Sequence, residues 1–351
     1  MIIPVLLLST LGIVVIYSSS PSLAIGQAIF TALGVLLFYV LRVIDYRLLS
    51  QISKYLYYAI LVLLIIVFFL GVETRGSLRW IPLGVFNFQP SEFAKPVLIL
   101  TLATFWKDRI PSWENIFKSL LLVLPIAGLI FKQPDLGTTI SIMFIWVVML
   151  IASNISLIKL LIVSAVGTSI APIFWLLLRS YQKQRFLSFI SPNQDPQGIG
   201  YNVIQSTIAV GSGQLTGRGL GRGTQSRLRF LPEFRTDFIF ASIAEELGLV
   251  GSLIVLTLYG AIFYFLFKAL SHVEDRFGEL ILVGVSSMMF IQIIVNIGMS
   301  AGILPITGIT LPLLSYGGSS VVSIFLSLGL AASVATLNPE KRNRDNSFLM
   351  N

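Results

Sequence analysis

Long apolar runs broken by short polar turns fill most of the chain. A helix that crosses a bilayer needs about 20 predominantly apolar residues. Ten segments meet or approach that length: 2–18, 24–42, 54–72, 90–106, 116–132, 136–153, 156–178, 237–268, 277–300 and 318–337. The pattern predicts an all-α polytopic membrane protein of about ten transmembrane helices. One long external loop, 179–236, separates helices 7 and 8, and a polar tail follows at 338–351. The eighth segment is long enough to require tilting or protrusion. No internal repeat is evident, which separates the pattern from inverted-repeat transporters.

Composition then narrows the domain count. A length of 351 residues would allow two or three soluble domains. A chain that is 55% hydrophobic and 11% charged, with a mean hydropathy of +0.88, reads instead as one integral membrane domain, 1–351. The absence of cysteine excludes disulfides, thiol chemistry and a Cys/His zinc site. The single histidine, His272, sits in the polar turn SHVEDRFGE and reads as a solvated loop residue. The first apolar run lacks a basic leader and reads as a transmembrane helix, not a cleaved signal.

Charge sets the orientation. Twelve basic residues fall in the loops and tails of one side, against Arg75, Arg79 and Lys132 in the short loops of the other. The positive-inside rule therefore places both termini in the cytoplasm and the loop 179–236 outside. That loop breaks the trend: it carries eight cations, among them Arg185, Arg222 and Arg235, against Asp195 and Glu233. Two accounts stand side by side: a basic surface lying on anionic headgroups, or a site for a phosphate or pyrophosphate. Neither implies a nucleic-acid partner. The glycine-rich run GSGQLTGRGLGRGTQS (211–226) has neither dinucleotide-binding nor Walker spacing, so it reads as tight turns with exposed N–H groups beside arginines.

Carboxylates at membrane depth carry the candidate chemistry, because such groups are costly there. In NFQPSEFAKP, Pro90 suits a first helical turn, and Glu92 and Lys95 share a helix face at i, i+3. They form either a neutralised pair or the wall of a polar cavity that offers Lys95 to an anion. Just upstream, Arg79 and Trp80 in RGSLRW read as interfacial anchors or as sugar and pyrophosphate contacts. In RFLPEFRTDFIFASIAEELG, Asp237 stands where the external loop becomes a helix, a position that suits a capping aspartate. Glu245 lies about 12 Å further along a helix, too far for the close carboxylate pair of a retaining glycosidase. A lone base therefore fits better than a dyad. The Pro/Gly-rich LPITGITLPLLSYGGSS (304–320) requires burial in protein or a polar cavity if it lies at membrane depth.

These motifs, with IYSSS, GSLRWIPLG, KQPDLGTT and GYNVIQSTIAVGSG, resemble the SEDS family (shape, elongation, division and sporulation) of bacterial membrane proteins over nearly the whole chain. The run GLGRGTQSRLRFLPE is more similar to the RodA elongation branch than to the FtsW division branch. The resemblance implies ten helices in the bacterial cytoplasmic (inner) membrane, with the active site facing outside. It implies a peptidoglycan glycosyltransferase that polymerises lipid II, working with a class B penicillin-binding protein as transpeptidase. The essential aspartate of the TDF element falls on Asp237, and the cavity Glu and Lys fall on Glu92 and Lys95. Family members usually carry His before TDF, where this chain has Arg235, whose charge would favour ionised Asp237. Undecaprenyl diphosphate would be the leaving group, met by Lys95 and the loop arginines, with Arg79, Trp80, Arg185, Arg222, Glu233 and Arg235 as further substrate contacts. No cofactor is implied with certainty. A divalent cation, Mg²⁺ or Mn²⁺, could bridge the pyrophosphate and an acidic residue, although no spacing demands it. The competing readings are a lipid II flippase and a non-enzymatic scaffold of a cell-wall synthase.

Overall fold

The structure is a computed structural model that describes residues 1–74, 77–82, 84, 87–191, 199–228 and 230–337. The sequence expectations for Arg75, Asp195, Arg229 and the tail 338–351 lie outside the described residues. Every one of the ten predicted segments overlaps a helix, although the third helix starts at Tyr46, eight residues before the predicted 54. The first seven are α1 (Ile2–Ser19), α2 (Pro21–Val43), α3 (Tyr46–Leu70), α4 (Pro90–Trp106), α5 (Trp113–Lys132), α6 (Leu136–Ala152) and α7 (Leu157–Leu177). The predicted long loop is not irregular throughout. It contains α8 (Ser180–Ile190), α9 (Ile199–Ser212) and the single turn α10 (Thr224–Arg227). The chain then continues through α11 (Ile239–Leu270), α12 (Arg276–Ser300) and α13 (Gly318–Thr336). Eight described helices are long and apolar enough to cross a membrane, while α6 and α4 are shorter at 17 residues each.

The helix boundaries follow local chemistry. Asp45, Ser112, Asp135 and Asp275 each accept a backbone N–H at the start of α3, α5, α6 and α12, satisfying donors that the helix leaves open. Pro21 and Pro90 occupy first turns, where their missing N–H costs nothing. One departure from the all-helical expectation lies between α3 and α4. There β1 (Val72–Thr74), β2 (Ser77–Pro82) and β3 (Asn87–Phe88) pair antiparallel in the order β1-β2-β3. Extended pairing satisfies the backbone of a segment that carries no helical apolar run.

Burial separates inner from outer helices. In α13, 83% of the apolar window is buried and in α12 67%, whereas α7 buries none. Helices α4, α12 and α13 thus form the centre, and α7 offers its apolar surface to its surroundings, as a lipid-facing helix does.

The long helix α11 is not one straight rod. It is broken at Gly248 (φ 68, ψ −160), a left-handed conformation that glycine adopts without steric penalty. The glycine-rich segment fills the break. The N–H groups of Arg218 and Gly219 donate to the carbonyls of Glu245 (3.0 Å) and Glu246 (2.9 Å), and those of Leu249 and Val250 donate to Gln214 (2.9 Å) and Leu215 (3.1 Å). A Cβ at Gly217 would stand 2.2 Å from the Glu246 carbonyl oxygen, so the close approach itself requires glycine. The piece before the break, headed by Asp237, is buried on all sides, while the piece after it has the half-exposed pattern of a span.

Glu245 and Glu246 point to opposite neighbours. The fully buried Glu245 carboxylate accepts from the Gln225 N–H (2.9 Å), the Ser226 N–H (3.2 Å), the Ser226 hydroxyl (3.0 Å) and the Thr224 hydroxyl (3.2 Å). Glu246 accepts from the Ser18 hydroxyl at the end of α1 (3.2 Å). The donors of this glycine-rich segment are thus aimed at the protein's own carboxylate. Substituting Glu245→Ala strands buried donors, and a loss of about 3 kcal/mol is expected. Thermal unfolding in detergent checks this, with Glu245→Gln destabilising less.

Candidate active site

The sequence places Asp237 in the turn that leads into α11, and the turn is held from several directions. The Glu233 carbonyl accepts the N–H groups of Thr236 and Phe238, both at 3.1 Å, and the Glu233 carboxylate accepts the Thr236 hydroxyl at 2.9 Å. The N-cap of α11 is Phe238 and no side chain caps it. Helix capping, which the sequence alone would accept as a full account of Asp237, does not explain it. The carboxylate faces a cavity of about 1170 Å³.

Three elements bring charge to this cavity opposite the Asp237 turn. From α4, Lys95 donates to Glu92 at 2.8 Å, with side chains 2% and 6% exposed, so the predicted i, i+3 pair forms and is withdrawn from bulk water. From β2, Arg79 donates to the Pro134 carbonyl and stands 3.7 Å from the Asp135 carboxylate. From α8, Tyr181 donates to the same carbonyl at 3.0 Å. Arg185, one turn on, approaches Asp237 beside Gly308. A methyl group at Gly308 would stand 3.5 Å from both Arg185 Nη1 and Asp237 Oδ2. Burial pushes the Arg185 guanidinium below its ordinary range, the Asp237 charge opposes that, and Arg79 lowers it further. Cation and carboxylate are thus coupled across the site.

Of the predicted site residues, Glu92, Lys95, Arg79, Trp80, Arg185, Glu233, Arg235 and Asp237 all line the one cavity. Arg222 is exposed and does not line it. Arg235 reaches the cavity wall, but its guanidinium donates to the hydroxyl (2.8 Å) and carbonyl (2.9 Å) of Ser19. A cation there also meets the negative end of the α1 dipole. Arg235 thus ties the TDF turn to α1, and Arg185 lies within the field of the Asp237 charge. Asp135 lines the cavity too, as do Gln89 and Gln292. The sequence marks Asp135 only as a carboxylate at membrane depth. Its link to Arg79 depends on a hairpin that local pattern does not announce.

Irregular backbone at 301–317 closes one side, and buried polar groups satisfy it as membrane depth requires. Gln27 donates to the Ser315 carbonyl (2.9 Å) and accepts from the Gly317 N–H (3.2 Å), and the Tyr259 hydroxyl donates to the Pro312 carbonyl (2.5 Å).

A polar, charge-balanced cavity set among apolar helices defines a multi-pass membrane protein with its site between the spans. The chain belongs to the FtsW/RodA/SpoVE family of cell cycle proteins, whose pattern matches residues 1–340. It is similar to the peptidoglycan glycosyltransferase MrdB of Escherichia coli K12, 39% identical over 89% of this chain and 84% of that protein. It is also similar to stage V sporulation protein E of Bacillus subtilis, 34% identical over 95% and 96%. Among solved structures, a chain of a peptidoglycan synthase complex that coordinates polymerization and crosslinking superposes with a TM-score of 0.82, at 34% identity over 95% of this chain and 96% of that one. The rod shape determining protein RodA of Thermus thermophilus superposes with a TM-score of 0.72, at 31% identity over 95% of each chain.

Proposed function

We propose that this protein polymerises lipid II into β-1,4 glycan strands at the outer face of the cytoplasmic membrane, for cell elongation and shape. It would work with a class B penicillin-binding protein. The observation that carries the reading is the cavity in which Asp237 faces Arg185 beside Gly308 while the buried Glu92–Lys95 pair lines the same space. Its volume of about 1170 Å³ exceeds the ~300–1000 Å³ that suits one small ligand, which favours a site for two sugar-bearing substrates. Both termini would be cytoplasmic and all ten apolar helices would span the bilayer.

In this mechanism Asp237 accepts the proton of the acceptor sugar 4-hydroxyl as general base. The hydroxyl oxygen forms a bond to the anomeric carbon of the lipid-linked donor, and the bond from that carbon to the diphosphate oxygen breaks. Attack opposite the leaving group inverts the centre and gives the β linkage. Undecaprenyl diphosphate departs with the electron pair, and Arg185, Arg79 and Lys95 stabilise its growing charge. Among the described residues no three His, Cys, Asp or Glu side chains stand together as a metal cage. A divalent ion would have to take most of its ligands from the diphosphate itself.

The test is polymer formation from purified lipid II by the reconstituted protein, with and without a class B penicillin-binding protein. Glycan strands that require Asp237 are expected. Translocation of labelled lipid II without polymer would favour transport, and neither activity would favour a scaffold.

A further inference from the structure

The turn that carries Asp237 is fastened through three consecutive carbonyls, each to a different donor. The Arg235 carbonyl accepts from the Tyr316 N–H at 2.8 Å, and the Thr236 carbonyl accepts from the Ser315 hydroxyl at 2.6 Å. The Asp237 carbonyl accepts from the Asn296 carboxamide at 2.8 Å. The same Asn296 nitrogen donates to the Ile309 carbonyl at 2.7 Å. One buried amide thus joins the backbone of Asp237 to the residue after Gly308, where Asp237 and Arg185 converge.

Asn296 is 0% exposed and sits in the apolar run FIQIIVNIGMS of α12. Burial alone does not call for it. A leucine fills similar space without the desolvation cost of a carboxamide, and polar groups within spans are expensive. Its nitrogen is matched by the two carbonyls it holds, which belong to irregular segments, while its Oδ1 accepts no hydrogen bond.

We infer that Asn296 is a positioning residue that sets the Asp237 carboxylate against Arg185 in the cavity. The inference rests on the preceding reading of Asp237 as the base. Asn296 touches no reacting atom in this arrangement; it fixes the main chain on either side of the site, and Ser315 and Gln27 brace the facing segment. A displacement of about 1 Å at a catalytic group costs on the order of 100-fold in rate, so the amide should act on turnover. Asn296 donates to neither the α4 pair nor Arg79, so substrate contacts on that side of the cavity are left in place.

The experiment compares Asn296→Leu, Asp237→Ala and the unaltered chain, each reconstituted with a class B penicillin-binding protein and lipid II. For Asn296→Leu, kcat should fall about 100-fold while KM for lipid II stays within about threefold, the split that marks loss of transition-state geometry. An unchanged kcat, or equal loss through KM, overturns the inference. Should Asn296→Leu not fold, as judged by thermal unfolding in detergent, Ser315→Ala decides. It removes one of the three fastenings, so a drop in kcat without a change in KM supports positioning, and an unchanged kcat overturns it. Undiminished polymerisation by Asp237→Ala overturns the reading of the base itself. An inactive Asp237→Ala beside a fully active Asn296→Leu overturns only the role of Asn296.

Discussion

Protein carrying Asp237→Ala, reconstituted with a class B penicillin-binding protein and lipid II, should form no glycan polymer, with a rate loss of at least about 100-fold. The expected loss follows from geometry. The carboxylate lines the cavity, acts there on the charge of Arg185 and is neither the N-cap nor in the first turn of α11. The turn is held by main-chain groups of residues 233–238. Removing the side chain therefore leaves those main-chain bonds intact. Asp237→Asn keeps the shape but loses the base, and should be equally inactive. An active Asp237→Asn protein would show that the proton goes elsewhere.

Lys95→Met has the second large expected effect, and it acts on folding before activity. Lys95 and Glu92 are both buried and meet at 2.8 Å. Removing one partner of such a pair leaves an uncompensated charge and costs about 3–5 kcal/mol. The single variant should therefore express poorly or unfold early in detergent. The double variant Glu92→Gln with Lys95→Met removes both charges and should recover most of the stability, as matched replacements of buried pairs do. Its activity then separates the two readings that the sequence leaves open. A stable but inactive double variant assigns the pair to the substrate. A stable and active one reduces it to a neutralised pair that lets α4 sit among apolar neighbours.

The helical frame was legible because apolar length is a local property. Each of the ten segments carries its own run, and Asp45, Ser112, Asp135 and Asp275 mark starts within a few residues of where they act. The i, i+3 spacing also foretold the Glu92–Lys95 pair, since three residues on one helix fix the partners. Much of the cavity wall could be named for the same reason: charge in an oily sequence stands out. The misses share a cause. The hairpin before α4 holds Arg79 against Asp135, and the helical content of 179–228 holds Arg185 against Asp237. Neither segment has the long apolar period that announces a span.

The residues that changed meaning did so through partners far along the chain. Arg235 reaches Ser19, 216 residues away, and Glu246 reaches Ser18, 228 residues away. The glycine-rich run reads as tight turns with N–H groups beside arginines until α11 is seen to break at Gly248, with Glu245 seated among its donors. Asn296 looks like a stray polar residue until Asp237 and Ile309 converge on its amide. The sequence by itself determined a membrane-embedded helical protein, its family and the carboxylate at the head of the eighth apolar segment, because hydrophobic period and motif spacing are written in neighbouring residues. Only the tertiary structure decided which donors answer which acceptors, because a buried polar group takes the partner that packing brings within about 3 Å, however distant it is along the chain.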